Sequence, residues 1–277
     1  MTLKTLALLL APLLGLQAVQ ANADATLDKL NERHRLSVGV MLTGLPFGTL
    51  DPRTRQPVGY NVELANELGK RLGVAVDTVA VLPPNRVQFL QQGKVDVLIA
   101  NMQFTEERAQ ILDYPPTPYE QVGGAAVIRK GAGIGQWADL SGKPVCVSQG
   151  SNFIEPLQQY GAQIKAFRSQ SESLLSLRGN GCVAAVHVAP TMRALLDQAE
   201  WADYETPLPN ELIPSDSVMW VRKGEHDFQA RVDAIIRDWH RSGWLIELGK
   251  RTGMAPSPAL YALHDKFKDS APLQAAQ

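Results

Sequence analysis

The residues best suited to ligand chemistry lie in one stretch, Val97 to Arg108, reading VLIANMQFTEER. Arg108 carries a guanidinium that stays protonated in water, and its fork fits a carboxylate through two parallel hydrogen bonds. Asn101, Gln103 and Thr105 precede it and supply uncharged donors and acceptors. The apolar run Val97 to Ala100 is too short for most helices and fits a buried strand. Thr105, with Glu106 and Glu107 directly behind it, reads as a helix N-cap. A strand that opens into polar groups and then into a helix start is where open α/β sheets place ligands.

Such a site needs a scaffold, and 277 residues suffice for one large domain or two smaller ones. A hydrophobic content of 45% with 20% charged residues is ordinary for a globular protein, and the net charge of −1 gives no reason to expect nucleic acid as a partner. The five histidines, His34, His187, His226, His240 and His264, are scattered, with none at a metal-ligand spacing. We therefore expect neither a metal nor a cofactor.

Residues 1–23 read as a cleavable export signal. Lys4 supplies the basic start, Leu6 to Leu16 an apolar core too short to span a bilayer comfortably, and Ala21-Asn22-Ala23 the small-x-small cleavage site. The mature chain is then expected in the periplasm. Its two cysteines, Cys146 and Cys182, favour a disulfide over metal binding or catalysis in an oxidising compartment. Whether they pair depends on a Cα separation that residue order does not supply.

Along the chain, strand and helix patterns alternate. Strands are expected at 36–41, 74–82 and 95–100, with helices at 61–72 and 85–92, which makes a parallel α/β sheet with right-handed crossovers. Three prolines between Asp113 and Pro118 break the rhythm. Gly123 to Arg129 is expected as a strand crossing to a second unit. That unit repeats the pattern with strands at 144–148, 164–167 and 182–188, a helix opened by Gly150-Ser151-Asn152, a helix at 171–177, and Pro190 in a first helical turn. Ser217 to Arg222 is expected to cross back, followed by an amphipathic helix from His226 to His240. The tail beyond Lys268 is expected to fray. Two Rossmann-like lobes joined by a two-strand hinge leave a ligand cleft between them, a geometry suited to closure.

At this point the chain resembles the solute-binding proteins of polar amino-acid ABC transporters, which have the type II periplasmic binding fold. The carriers are Gly59 to Ala65 (GYNVELA), Gly93 to Val97 (GKVDV), Thr105 to Arg108 (TEER), Gln149-Gly150-Ser151, and Trp220 to Glu225 (WVRKGE). Each is weak alone, and their order and spacing are specific. The resemblance implies that Arg108 grips a ligand α-carboxylate while Asn101, Gln103 and Thr105 line the cleft. It implies backbone donors at Gly150, Ser151 and Asn152, where a helix start suits an anion. It puts the loop Leu45-Pro46-Phe47 at the cleft, with Phe47 as its aromatic contact. Arg86, in Pro84-Asn85-Arg86, matches an arginine that acidic amino-acid binders use on a side-chain carboxylate.

One departure matters. The family's acidic residue, which pairs with the ligand ammonium, is replaced here by Ala189, with His187 two residues earlier on the same side of the strand. Either Glu120 or Asp216 takes that role, or the ligand is not an ordinary α-amino acid. The domain expectation is 24–122 plus 217–277 for the first lobe and 123–216 for the second. The functional expectation is a monomeric receptor for a small carboxylate-bearing solute, delivering it to an ABC permease in the inner membrane. Two alternatives share the cleft. One is a sensory protein that signals to a membrane receptor. The other is an enzyme similar to cyclohexadienyl dehydratase, for which His187 or Glu120 would have to serve as the acid.

Overall fold

The computed structural model describes residues 24–273, so the expected export signal lies outside the described residues. Three parallel strands form the first sheet, in the order Ala75–Ala80, Arg35–Val40, Val97–Ile99. Trp220 extends it through an antiparallel bridge to Leu98, the two residues exchanging backbone bonds of 2.9 and 3.1 Å. The second sheet runs Tyr204–Glu205, Glu120–Arg129, Ala184–Val188, Pro144–Ser148, Gln163–Phe167, with Leu212–Ser217 also paired antiparallel to Glu120–Arg129. Two α/β lobes result, joined by the antiparallel pair Glu120–Arg129 and Leu212–Ser217.

The helices follow their sequence signals. Tyr60–Leu72 buries Val62, Leu64, Ala65 and Leu68 and stops at Gly73 in the left-handed conformation. His226–Ser242 buries Phe228, Val232, Ile235, Ile236 and Trp239, the apolar face expected from their spacing. Ala189–Leu196 takes Pro190 in its first turn. Two helices lie outside the expectations. Ala25–Arg33 is capped by the Asp24 carboxylate, and Pro258–Phe267 by Ser257. The tail, expected to fray, is tied at one point, where the Leu273 N–H reaches the Asp238 carboxylate at 3.1 Å.

Two expectations need correction. The return crossing is Leu212–Ser217, not Ser217 to Arg222; Val221–Arg222 pairs instead with Leu112–Asp113. Pro214 disguised the true strand. It is tolerated because at Pro214 the strand is paired on one side only, and its register slips there, between Leu212 and Ser215, where no N–H is required. The outgoing strand also begins at Glu120, three residues before Gly123. Secondly, Gly150-Ser151-Asn152 does not open a helix. It forms a turn, and the helix that follows is the short Ile154–Gln159.

Cys146 and Cys182 are joined by a disulfide, with Cα atoms 5.8 Å apart. Cys146 lies in Pro144–Ser148, and Cys182 lies just before Ala184–Val188 rather than in it. The bridge therefore ties a strand to the approach of its neighbour, both sulfurs inside an apolar cluster with Leu174, Leu177 and Trp201.

Gly59 precedes the first residue of Tyr60–Leu72 with φ +124°, and a Cβ there would sit 2.7 Å from the Phe47 carbonyl oxygen. This close approach lets the Tyr60 and Asn61 N–H groups bond the Pro46 and Phe47 carbonyls at 2.8 and 2.9 Å. Gly59→Ala is expected to destabilise the protein by about 1–3 kcal/mol, read as a lowered urea midpoint. An unchanged midpoint would show that the loop shifts at no cost.

Candidate functional site

A narrow cavity, open to solvent on one side, lies between the lobes. The first lobe contributes Met41, Pro83, Arg86, Asn101 and Gln103 to its wall. The second contributes the strand end and turn Ser148 to Phe153 without Gly150, together with Gln170, His187 and Val188. Strand ends dominate this wall, as expected for α/β sheets.

Arg86 is the cation on the wall itself. It opens the helix Arg86–Gln91 and is 5% exposed. Its Nη1 donates to the Ala100 carbonyl at 2.7 Å and the Asn101 carbonyl at 3.2 Å. Asn101 makes this possible by taking the left-handed conformation (φ +50°), which asparagine tolerates better than most residues. Asn61 steadies it, donating Nδ2 to Asn101 Oδ1 at 2.6 Å. Burial, and then the nearby Arg108, push the Arg86 guanidinium down to about 9, so it is still charged at neutral pH.

Arg108 reaches across the gap. It sits in the helix Glu106–Ile111, whose N-cap Thr105 accepts the Arg108 N–H at 3.2 Å. Nη1 donates to the Gln103 carbonyl at 2.5 Å in the same lobe, and Nη2 donates to the Gly150 carbonyl at 2.8 Å in the other. Burial lowers its pKa to about 10, and Glu107 opposes that shift. Among the described residues, neither guanidinium is ion-paired with a carboxylate.

Gln103 is held by an antiparallel bridge to Ser217 on the return strand, and its Nε2 is buried without a partner among the described residues. Behind it, Trp220 Nε1 bonds the Met102 carbonyl at 2.7 Å, and the indole stacks on Phe104. Across the gap, the Asn152 Nδ2 is also unpartnered. Ser151 Oγ accepts from the Phe153 N–H at 3.2 Å. Gly124 on the outgoing strand explains how Phe153 reaches the wall, since a Cβ there would meet the ring at 3.1 Å.

The structure thus brings Arg86, Asn101, Gln103, Ser151, Asn152 and His187 to one cavity, from its two sides. Arg108 and Gly150 lie beside it, bonded to each other. Thr105 acts as a cap behind Arg108 rather than as a wall residue. Phe47 is displaced from the expected position: it is 3% exposed and packs edge-to-face on Tyr60 in the core. Ala189 is fully buried at the start of its helix and off the wall. Met41, Pro83, Ser148, Gln149, Phe153, Gln170 and Val188 line the cavity without having been singled out as site residues. Ser148 could have been found from its place at the end of a strand; the apolar residues carry no signal of their own.

His187 Nε2 shares a hydrogen bond of 2.9 Å with Ser173 Oγ, and burial lowers its pKa to about 3, so the ring is neutral. The two acids considered as ammonium partners are off the wall. Asp216 accepts from Gln121 Nε2 at 3.1 Å. Glu120, 1% exposed at the start of the outgoing strand, accepts from the Ser257 hydroxyl and from the Gln121 N–H at 2.8 Å, while its Oε2 has no partner among the described residues.

Burial pushes the Glu120 carboxyl up to about 7, against the hydrogen bonds of Ser257 and Gln121. The folded protein therefore holds this proton more tightly than the unfolded chain. The resulting stability is present below about pH 4.5 and is lost as pH rises through 7. Relative to Glu120→Gln, the wild type should lose about 2–3 kcal/mol of unfolding free energy between pH 5 and pH 8. Parallel stability curves for the two proteins would contradict this.

Two hinged α/β lobes with a polar, cation-bearing cavity between them define a solute-binding protein of the type II periplasmic class. The sequence matches the family of bacterial extracellular solute-binding proteins, family 3, over residues 36–253, and the chain belongs to that family. It is 28% identical over 240 residues to the L-cystine-binding protein TcyJ of Escherichia coli, covering 84% of this chain and 88% of that one. It is 25% identical over 255 residues to a glutamate/aspartate import solute-binding protein of Salmonella typhimurium, covering 83% and 82%. The structure of holo ArgBP from T. maritima superimposes with a TM-score of 0.72 at 27% identity, covering 80% of this chain and 98% of that one.

Proposed function

We propose that this chain is the exported receptor of an ABC importer, which closes its lobes on a small carboxylate-bearing solute and presents it to the membrane permease. The observation that carries the reading is the pair of guanidiniums at the cavity, Arg86 on the wall and Arg108 beside it, reaching to Gly150 of the other lobe, neither paired with a carboxylate among the described residues. Buried or half-buried cations without counterions favour an incoming anion. Export is supported by the apolar leader in residues 1–23 and by the disulfide, which belongs in an oxidising compartment. We assign residues 24–122 with 217–277 to one lobe and 123–216 to the other, so that Arg108 and Gly150 come from opposite sides. Their bond is then available to break on opening.

The dehydratase-like alternative needs an acid in the cavity. Glu120 is occupied with Ser257 away from the wall, and His187 is neutral and bound to Ser173. Both observations favour a binding protein.

The test is thermal unfolding with a panel of amino acids and of mono- and dicarboxylic acids. A solute present at about 100 times its Kd should stabilise the protein by about 2.7 kcal/mol and raise Tm visibly. Flat melting curves across the whole panel would count against a carboxylate solute.

A further inference from the structure

We infer that the solute is a small dicarboxylate lacking an ammonium group. This rests on the carboxylate reading above and narrows it. Among the described residues, no aspartate or glutamate lines the cavity. An ammonium placed there would stand beside Arg86 and Arg108 with no fixed negative charge to hold it. The Ala100 and Asn101 carbonyls already accept from Arg86 Nη1, so an ammonium bonded to them would sit against the guanidinium charge.

What the cavity offers instead is donors. Nε and Nη2 of Arg86 have no hydrogen-bond partner among the described residues. Gln103, 2% exposed, and Asn152 each present an unpartnered amide nitrogen. Arg86 keeps Nε and Nη2 for one carboxylate, and the Gln103 and Asn152 amide nitrogens suit a second, beside the positive charge of Arg108, whose two Nη atoms already donate to the Gln103 and Gly150 carbonyls. The neutral His187 adds no charge, and the serines and glutamines of the wall can orient a ligand but cannot neutralise an ammonium. The inference therefore separates ligands that share a carbon skeleton and differ only in the amine.

The experiment is isothermal titration calorimetry of the mature protein with matched acids: succinate against L-aspartate, and glutarate against L-glutamate, with butyrate as a one-carboxylate control. The dicarboxylate that binds should do so at least about ten-fold more tightly than its amino counterpart and than butyrate. An amino acid that binds as tightly as its matched acid, or more so, overturns the inference while leaving the carboxylate reading intact. Butyrate equal to the dicarboxylates overturns the two-carboxylate part. No binding of any of these acids, even at millimolar concentration, overturns both. Arg86→Gln should erase the preference of glutarate over butyrate, and Arg86→Lys should restore part of it. A preference unchanged in Arg86→Gln would show that Arg86 does not read the second carboxylate, and would count against the inference.

Discussion

Arg108→Ala should weaken binding of the carboxylate solute by about 100-fold or more, with little change in the melting temperature of the ligand-free protein. The size follows from what is removed. Truncating one partner of a desolvated, hydrogen-bonded charge pair costs about 2–5 kcal/mol, and every 1.4 kcal/mol is ten-fold in Kd. The small effect on the empty protein follows from its partners there. Arg108 is only partly buried and donates to two carbonyls, Gln103 and Gly150, which water can serve once the side chain is gone. Arg108→Lys keeps the charge but loses the fork, so it should fall between the two. Calorimetry on the three proteins checks the series. A Kd for Arg108→Ala within a factor of a few of the wild type would mean that the guanidinium merely bridges two carbonyls.

The second large effect concerns stability. Replacing Cys146 and Cys182 together by alanine should cost about 2–5 kcal/mol. The two residues are 36 apart in sequence, and closing a loop of that size in the unfolded chain corresponds to about 4 kcal/mol on the chain-entropy account. Alanine is the right replacement, because a serine hydroxyl in the apolar cluster around Leu174, Leu177 and Trp201 would add an unsatisfied polar group. Urea unfolding followed by tryptophan fluorescence measures the difference. Coincident midpoints for wild type and the double variant would show that the bridge contributes nothing.

The parts of the fold that could be read from residue order are those where local pattern and tertiary role agree. The apolar spacing of His226–Ser242 and the strand-to-cap reading of Val97 to Thr105 both match what the structure holds. The misreadings have a common origin, in that the deciding partner lies far off in sequence. Pro214 looks like a break unless the register slip beside it, between Leu212 and Ser215, is known. Gly150-Ser151-Asn152 looks like a helix start, yet the Gly150 carbonyl is turned outward to Arg108, 42 residues away. Phe47 looks like a cleft aromatic until Gly59 allows the backbone of its loop to be drawn against Tyr60–Leu72.

At the cavity, Arg86 and Arg108 were legible as cations, but their ranking was not. Which of them faces the cavity is set by the left-handed turn at Asn101, which presents two successive carbonyls to Arg86. The wall residues Met41, Pro83 and Val188 have no chemistry that marks them in a sequence; only the folding of strand ends toward one gap collects them. The absence of an acid from the wall could be suspected from Ala189. It took the positions of Glu120 and Asp216 to show that neither acid lines the cavity instead.

A crystal structure of the mature protein with the acid that raises its Tm most would test the central claim most directly. The account predicts a ligand carboxylate within hydrogen-bond distance of the Arg86 or Arg108 guanidinium, enclosed by contacts from both lobes. A ligand bound outside the gap, or held in it with its carboxylate away from both arginines, would contradict it.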